Sequence, residues 1–516
     1  VTGDVWLVEV TGYTAAAVST VYRYATGPYI TTAADTPAST WYDERVIDPG
    51  TISRQIFAGG VSGGQPNPRS ETGYGAIALA NLDGALDAVF DSASISFRER
   101  QVRVLRVRQG AAYSTAVLVL SAVVSQIEMS ADRVTIGIKD RTYELDSPHL
   151  TATYGGTNAL PAGVDGVADL AGKVKPLALG SVAKIEPPCC NTSRLIYQVS
   201  TAAIQSGTVY DGGVALTAGA NYADQAAMEA TAPAAGQVRW WLAGGMFRLG
   251  SSPVYTITAD VVADTAPNST AAQLIKRLAL ERGIASGDVN AADVTALDTA
   301  NSAVLGLWVN DSSSTTDLLD RLAASVGAWW GFDRAGVLRM ARFDAPSGTS
   351  AAMLATWNVS AVERVANGED VPTTTVRLRH SRYHRTQSPT ELAGAVTDAQ
   401  VSDLAQEWRT SSATTTLSPN PHKRTLTAER DTALTQASDA ATEATRVLGL
   451  VSTARRTHIA RDAQLDDAAL QAVDLGAVVA LRWPRYGFDN STGTLRRVLA
   501  IHYSLARGAC DLTLWG

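Results

Sequence analysis

Three segments follow one another at hairpin spacing: QVRVLRVRQG (101–110), TAVLVLSAVVSQIEM (115–129) and DRVTIGIKD (132–140). Each is rich in β-branched residues, the composition of strands. With VWLVEV (5–10) they predict an antiparallel β domain over residues 1–150. A long polar loop, FAGGVSGGQPNPRSETG (57–73), interrupts it. A meander of this kind buries an apolar face only against further structure.

At 516 residues the chain exceeds one ordinary core, and two to four domains are expected. Residues 151–180 are rich in Gly, Ala and Pro and read as a linker, followed to 260 by short strands and turns such as Asp211-Gly212-Gly213. Near residue 267 the period changes. PNSTAAQLIKRLALERG places Leu274, Ile275, Leu278 and Ala279 on one helical face, with Gly283 as C-cap. SSTTDLLDRLAASVG repeats the design, with Ser314 as N-cap, Asp317 three residues on and Gly327 closing it. AWWGFDRAGVLRMARF then reads as a hairpin, which completes an α+β module over 261–345. Residues 346–516 return to strands, with one longer helix over roughly 427–449. The fold class is therefore mainly β with an α+β insertion. The final segment also echoes the first domain: VLSAVVSQIEMSADRVTIGI (119–138) and VLAIHYSLARGACDLTLW (498–515) align across a one-residue gap. Chance similarity and two related β-barrels both fit that echo.

Composition narrows the function. The net charge of −7 argues against a general nucleic-acid binder. No apolar stretch approaches the roughly 18 residues of a membrane helix, and VTGDVWLVEV has neither the basic nor the apolar region of a signal peptide. Cys189, Cys190 and Cys510 are too few for a framework of disulfides and suit a reducing compartment.

Chemistry-bearing motifs break at required positions. Asn81, Asp83 and Gly84 fit an EF-hand loop, but its first and twelfth positions fall on Leu79 and Phe90, which cannot ligate calcium. GVSGG around Ser62 matches a nucleophile elbow, yet Pro66 and Pro68 forbid the helix that motif requires. GVADLAGK (166–173) has five residues between its glycines and no Ser or Thr after Lys173, so it is not a phosphate loop. His380 and His384 lie on a strand-like stretch with no carboxylate between them, as a solvated Arg-rich edge or a contact to a partner or nucleic acid. Cys189, Cys190 and Cys510 could seat a metal or an iron–sulfur cluster, but such clusters take four thiolates. The doublets Trp240-Trp241 and Trp329-Trp330 either split between core and outer face, as interface anchors, or are buried between layers. No catalytic, cofactor-binding or metal residues are assigned, and the chain reads as a non-enzyme.

TPASTWYDERVIDPGTISRQIFAGG with GYGAIALANLDGALDAVF resembles the N-terminal region of tail-tip hub proteins of long-tailed bacteriophages, prophages and gene-transfer agents. SRLIYQVSTAAIQSGTVYDGGVALT, LLDRLAASVGAWWGFDRAGVLRMARF and the segment from VDLGAVVALRWPRYGF to LTLWG are similar to later parts of the same proteins. The resemblance implies paired tail-type β-barrels and a structural role at the distal end of a virion tail. It implies a homotrimeric baseplate hub that joins a sixfold tail tube to a threefold tip and lines the DNA exit channel. The implied partners are a distal tail protein, the tail tube, tip or fibre proteins and passing phage DNA. A distal-tail ring protein and a tail-associated cell-wall hydrolase are the alternatives. In such proteins the Asn81–Gly84 stretch is a corner: YGAIALAN a strand, Asp83-Gly84 the turn, ALDAVFD the helix.

Overall fold

The computed structural model describes residues 3–14, 16, 18–57, 67–365, 371–417, 422–453 and 455–516, apart from the side chains of Tyr74 and Asp467. Ser62 lies outside the described residues. The chain is mainly β, with its strands gathered in several sheets and its helices few.

The first sheet is built from the meander expected above. Its strands are β1 (Val46–Asp48), β4 (Ile77–Ala80), β5 (Gln101–Arg108), β6 (Val117–Met129) and β7 (Arg133–Lys139), with a hairpin of β2 (Thr51–Gln55) and β3 (Glu71–Tyr74) between β1 and β4. A short helix, α1 (Asp87–Phe90), joins β4 to β5. Spatially the strands run β1-β4-β7-β6-β5, all antiparallel, and the strand Asp4–Thr14 extends the sheet beyond β5.

The middle of the chain holds two facing five-stranded sheets and a helical layer. One sheet contains Leu177–Ile185, Ser206–Asp211 and Ile257–Val262, and the other contains Ile196–Gln198, Gln237–Trp241 and Met246–Leu249. Val182, Val209 and Val261 meet Val238, Trp240 and Phe247 between them. Three helices follow: α2 (Ala271–Glu281), α3 (Ala291–Ala300) and α4 (Thr315–Ser325). The Ser314–Asp317 capping box forms as its spacing requires, and Gly327 takes the left-handed φ of +61° that ends α4. Helix α3 was not expected: its inward face carries only two large apolar residues, Val294 and Leu297, so its period is faint.

The second large sheet contains β8 (Ala361–Val365), β9 (Thr457–Ala463), β10 (Val478–Arg482), β11 (Thr494–Ser504) and β12 (Ala509–Trp515). Its long insertion after β8 folds into a three-stranded sheet, Arg409–Thr414, Thr373–His380 and Leu426–Asp431, packed on α5 (Ala437–Val451). The helix expected over 427–449 thus starts ten residues late. The segment LTAERD alternates instead, with Ala428 and Arg430 turned inward, and pairs in parallel with Thr373–His380. A helix α6 (Asp467–Ala472) joins β9 to β10.

This second sheet repeats the first. These five strands run β8-β9-β12-β11-β10, again all antiparallel, and Met353–Ala355 extends the sheet in parallel beyond β10. In chain order both sheets therefore run first, second, fifth, fourth, third, with a helix between the second and third strands. Even the irregularities correspond: the fourth and fifth strands slip register at Val124/Gln126 in one hairpin and at Val498/Ala500 in the other. The echo between 119–138 and 498–515 is thus the fourth and fifth strands of two units with one topology. The corners agree as well. Ala80-Asn81-Leu82-Asp83-Gly84-Ala85-Leu86 leaves β4, and Ala463-Gln464-Leu465-Asp466-Asp467-Ala468-Ala469-Leu470 leaves β9.

Candidate functional site: the seam between two repeated units

The inward faces of the two sheets form one core. Val119, Val124, Val134 and Ile136 of the first unit share it with Val479, Val498, Leu512 and Leu514 of the second. Period-two alternation delivers these residues to one side of each strand, and burying them together removes both sheets' apolar faces from water. Leu86 from the first corner and Leu470 from the second each enter this core, both 4% exposed.

A strand of the first unit crosses the seam. β2 pairs antiparallel with β11, from Thr51 opposite Ser504 to Gln55 opposite Ala500. The pairing is bracketed by Ile56 N–H donating to Leu499 O (2.9 Å) and Leu505 N–H donating to Gly50 O (3.2 Å). Ile52 and Arg54 point inward from it. The buried Arg54 guanidinium donates to Asp474 Oδ1 (2.5 Å) and to Phe332 O (2.7 Å), so one planar fork ties the arm to the segment after α6 and to the hairpin of the helical layer. A buried charge needs such partners to offset its lost hydration. Burial lowers the Arg334 guanidinium from its ordinary range, with Arg54's charge adding to the effect and Asp474 opposing it. A cavity of about 30 Å³ among Ile52, Arg54, Tyr503 and Leu512 is the small void left in this packing.

Polar side chains hold the corner that opens the first helix. Asn81 Oδ1 accepts from Leu86 N–H (2.9 Å), and Asn81 Nδ2 donates to Asp87 Oδ1 (2.7 Å). Gly84 supplies the φ of +67° that the turn requires. Arg45 grips Asp83 through two bonds of 2.8 and 2.7 Å, which holds that carboxyl well below the usual carboxylate range. In the second corner Asp466 accepts from Ala469 N–H (2.8 Å) as an N-cap.

The residues singled out in the sequence are scattered. Cys189 and Cys190 lie on a short strand of the middle sheets, and Cys190 packs with Tyr154, Ile196 and Met228. Cys510 lies in the seam core, where burial pushes its thiol up to about 12. Among the described residues no group of three or more His, Cys, Asp or Glu could hold a metal ion. His380 is buried instead of lying on a solvated edge, with Ser381 and Ser411 hydroxyls on its two nitrogens. His384 packs edge-on against Trp308, and burial pushes its imidazole down to about 4. Trp329 and Trp330 are both buried, on opposite faces of one strand and in different clusters, and Trp330 Nε1 donates to Asp320 Oδ1 (2.8 Å). Trp240 fills the core between the middle sheets while Trp241 is half-buried. The exposed tryptophans are others: Trp41 (53%) and Trp357 (66%), each a few residues before the first strand of a unit. A lone Trp before a strand carries no periodic signal, so sequence reasoning passed over both.

No family model and no curated protein matches the chain. Among solved structures it is similar to a tail protein from Neisseria meningitidis MC58, at 9% identity and a TM-score of 0.42, over 99% of this chain and 96% of that one. It is also similar to the 43 kDa tail protein of prophage MuSo2 from Shewanella oneidensis, at 13% identity and a TM-score of 0.39, over 93% and 95%. A chain of a native gene transfer agent virion is 14% identical with a TM-score of 0.41, over 67% and 84%.

Proposed function

We propose that the chain is a structural protein of a phage tail tip, a hub of which three copies close into a ring between a sixfold tube and a threefold tip. The observation that carries this reading is the repeat: two β units of one topology, joined head to tail by a crossing strand. The contact is heterologous, since the first unit gives an arm and the second receives it. Heterologous contacts close into rings when the rotation permits. Three chains then present six equivalent units, which matches a sixfold tube on one side while the unique insertions keep threefold order on the other. The sequence resemblance to tail-tip hubs supports the same role. In this reading the protein lies at the distal end of the tail, meets a distal tail protein and the tube, and surrounds the exit channel for DNA.

The mass of the purified assembly by native mass spectrometry, with images of particles, tests the reading. Three copies per ring are expected. Six copies would assign the chain to a distal-tail ring, and a turbidity drop of cell walls treated with the protein would assign it to a hydrolase.

A further inference from the structure

The two units differ in one respect that the repeat makes visible. On β11, Ile501 and Tyr503 turn their backbone N–H and C=O groups away from β12 and toward Arg54 and Ile52 of the arm. The corresponding stretch of β6 follows the matching register slip, so that Gln126 answers to Ala500, Ile127 to Ile501 and Met129 to Tyr503. Ser130 N–H donates to Arg133 O (2.9 Å) at the end of this hairpin. Alternation then directs Gln126 and Glu128 toward β7, and leaves the backbone groups of Ile127 and Met129 facing outward. On that side the hydrogen bonding stops at Val124, whose C=O accepts from Glu99 N–H (2.8 Å) and whose N–H donates to Arg100 O (2.9 Å). Among the described residues no strand covers the edge beyond it. The stretch carries no Lys or Pro to blunt it, and Ile127 and Met129 lie half-buried against the seam core.

We propose that this open edge of β6, at Ile127 and Met129, binds a strand of a second copy of this chain. The occupant follows from the molecule itself: at the equivalent edge of β11 the cover is a strand inserted between the first and second strands of the neighbouring unit. In the second unit the same chain position holds the insertion after β8, and the first unit of the next copy stands where a further unit would. Main-chain bonding of added strands is a recurrent mode of association. Only the number of copies rests on the hub reading; the edge does not.

Hydrogen–deuterium exchange over 125–130 in the full chain, from dilute to concentrated protein, tests it together with I127P. Proline at residue 127 removes an outward N–H and leaves the β7 ladder intact. The expected result is at least a tenfold slowing of exchange at these amides on assembly. In I127P, association is expected to weaken at least tenfold with the melting temperature held within a few degrees. If I127P fails to fold, the exchange of the unaltered protein decides alone. A trimer whose 125–130 amides exchange as in the monomer would overturn the proposal and leave the hub reading standing. An edge protected in dimers or open filaments would keep the proposal and overturn the hub. A chain that stays monomeric at every concentration overturns both, and protection that requires a different protein overturns the assigned occupant.

Discussion

The first and second β units share a framework and differ in what interrupts it. Between its first two strands the first unit has a short hairpin, β2–β3, which leaves home to pair with β11. The second unit has residues 366–456 at that point, including a sheet and the helix α5 that covers it. What is kept is the strand order, the slipped hairpin, the helix-bearing corner and the leucine that plugs it. The framework tolerates exchange at a connection because connections sit on the surface, whereas the seam core packs residues of both sheets together. Difference at that one connection is what turns two similar halves into a giver and a receiver.

The comparison breaks most completely if β11 and β12 are removed. Deleting 494–516 takes away two of five strands from the second unit and the partner of the arm, and is expected to abolish both the fold of that unit and ring formation. Circular dichroism and native mass spectrometry would show it, and a truncated chain that still forms trimers would sink the assignment of the seam. A sharper test sets the two corners against each other. Leu86→Ala and Leu470→Ala each empty an equivalent plug in one core, and each is expected to cost about 2–5 kcal/mol in chemical denaturation. A cost below about 1 kcal/mol at only one of them would show that the corners are alike in outline alone.

Acid should separate the units. The first has no histidine, whereas His458 lies on β9 of the second, and burial pushes its imidazole down to about 4, with Arg496, Arg364 and Arg456 adding to the effect. A folded-state value below the ordinary 6.5 means the unfolded chain binds the extra proton. The stability is therefore full above about pH 6.5 and lost as pH falls toward 4, by on the order of 2 kcal/mol for this group. His384 is shifted the same way, so H458Q is expected to flatten part of the slope of melting temperature against pH, and H458Q with H384Q more of it. The smallest effect is expected at the polar side chains that hold the two corners: Asn81→Ala and Asp466→Ala should each cost about 1 kcal/mol by thermal melts.

Much of the framework was legible because its signals are local. The hairpins 117–139 and 494–515 are long and closed by short turns, the first is rich in β-branched residues, and the cap of α4 is written in Ser314 and Asp317. Residues 427–431 read as the start of a helix because only the parallel pairing of Leu426–Asp431 with Thr373–His380, some fifty residues earlier, makes the segment a strand. The repeat itself surfaced as a faint echo, since strand order is a property of pairing and not of residue type. The seam was less legible still. Nothing near Arg54 announces Asp474 or Phe332, and an open edge such as that at Ile127 is defined by a partner strand that is missing from the sheet.

The crossing arm also sets a schedule for synthesis. β2 leaves the ribosome long before its partner β11, since Gln55 pairs with Ala500. Until then the arm waits with unanswered main-chain groups, and the first sheet waits with its inward face uncovered. A contact of such sequence separation is slow to form and leaves sticky surface exposed in the meantime. β11 and β12 thus act as a checkpoint on folding: until they emerge, the first unit has no place to close its inward face.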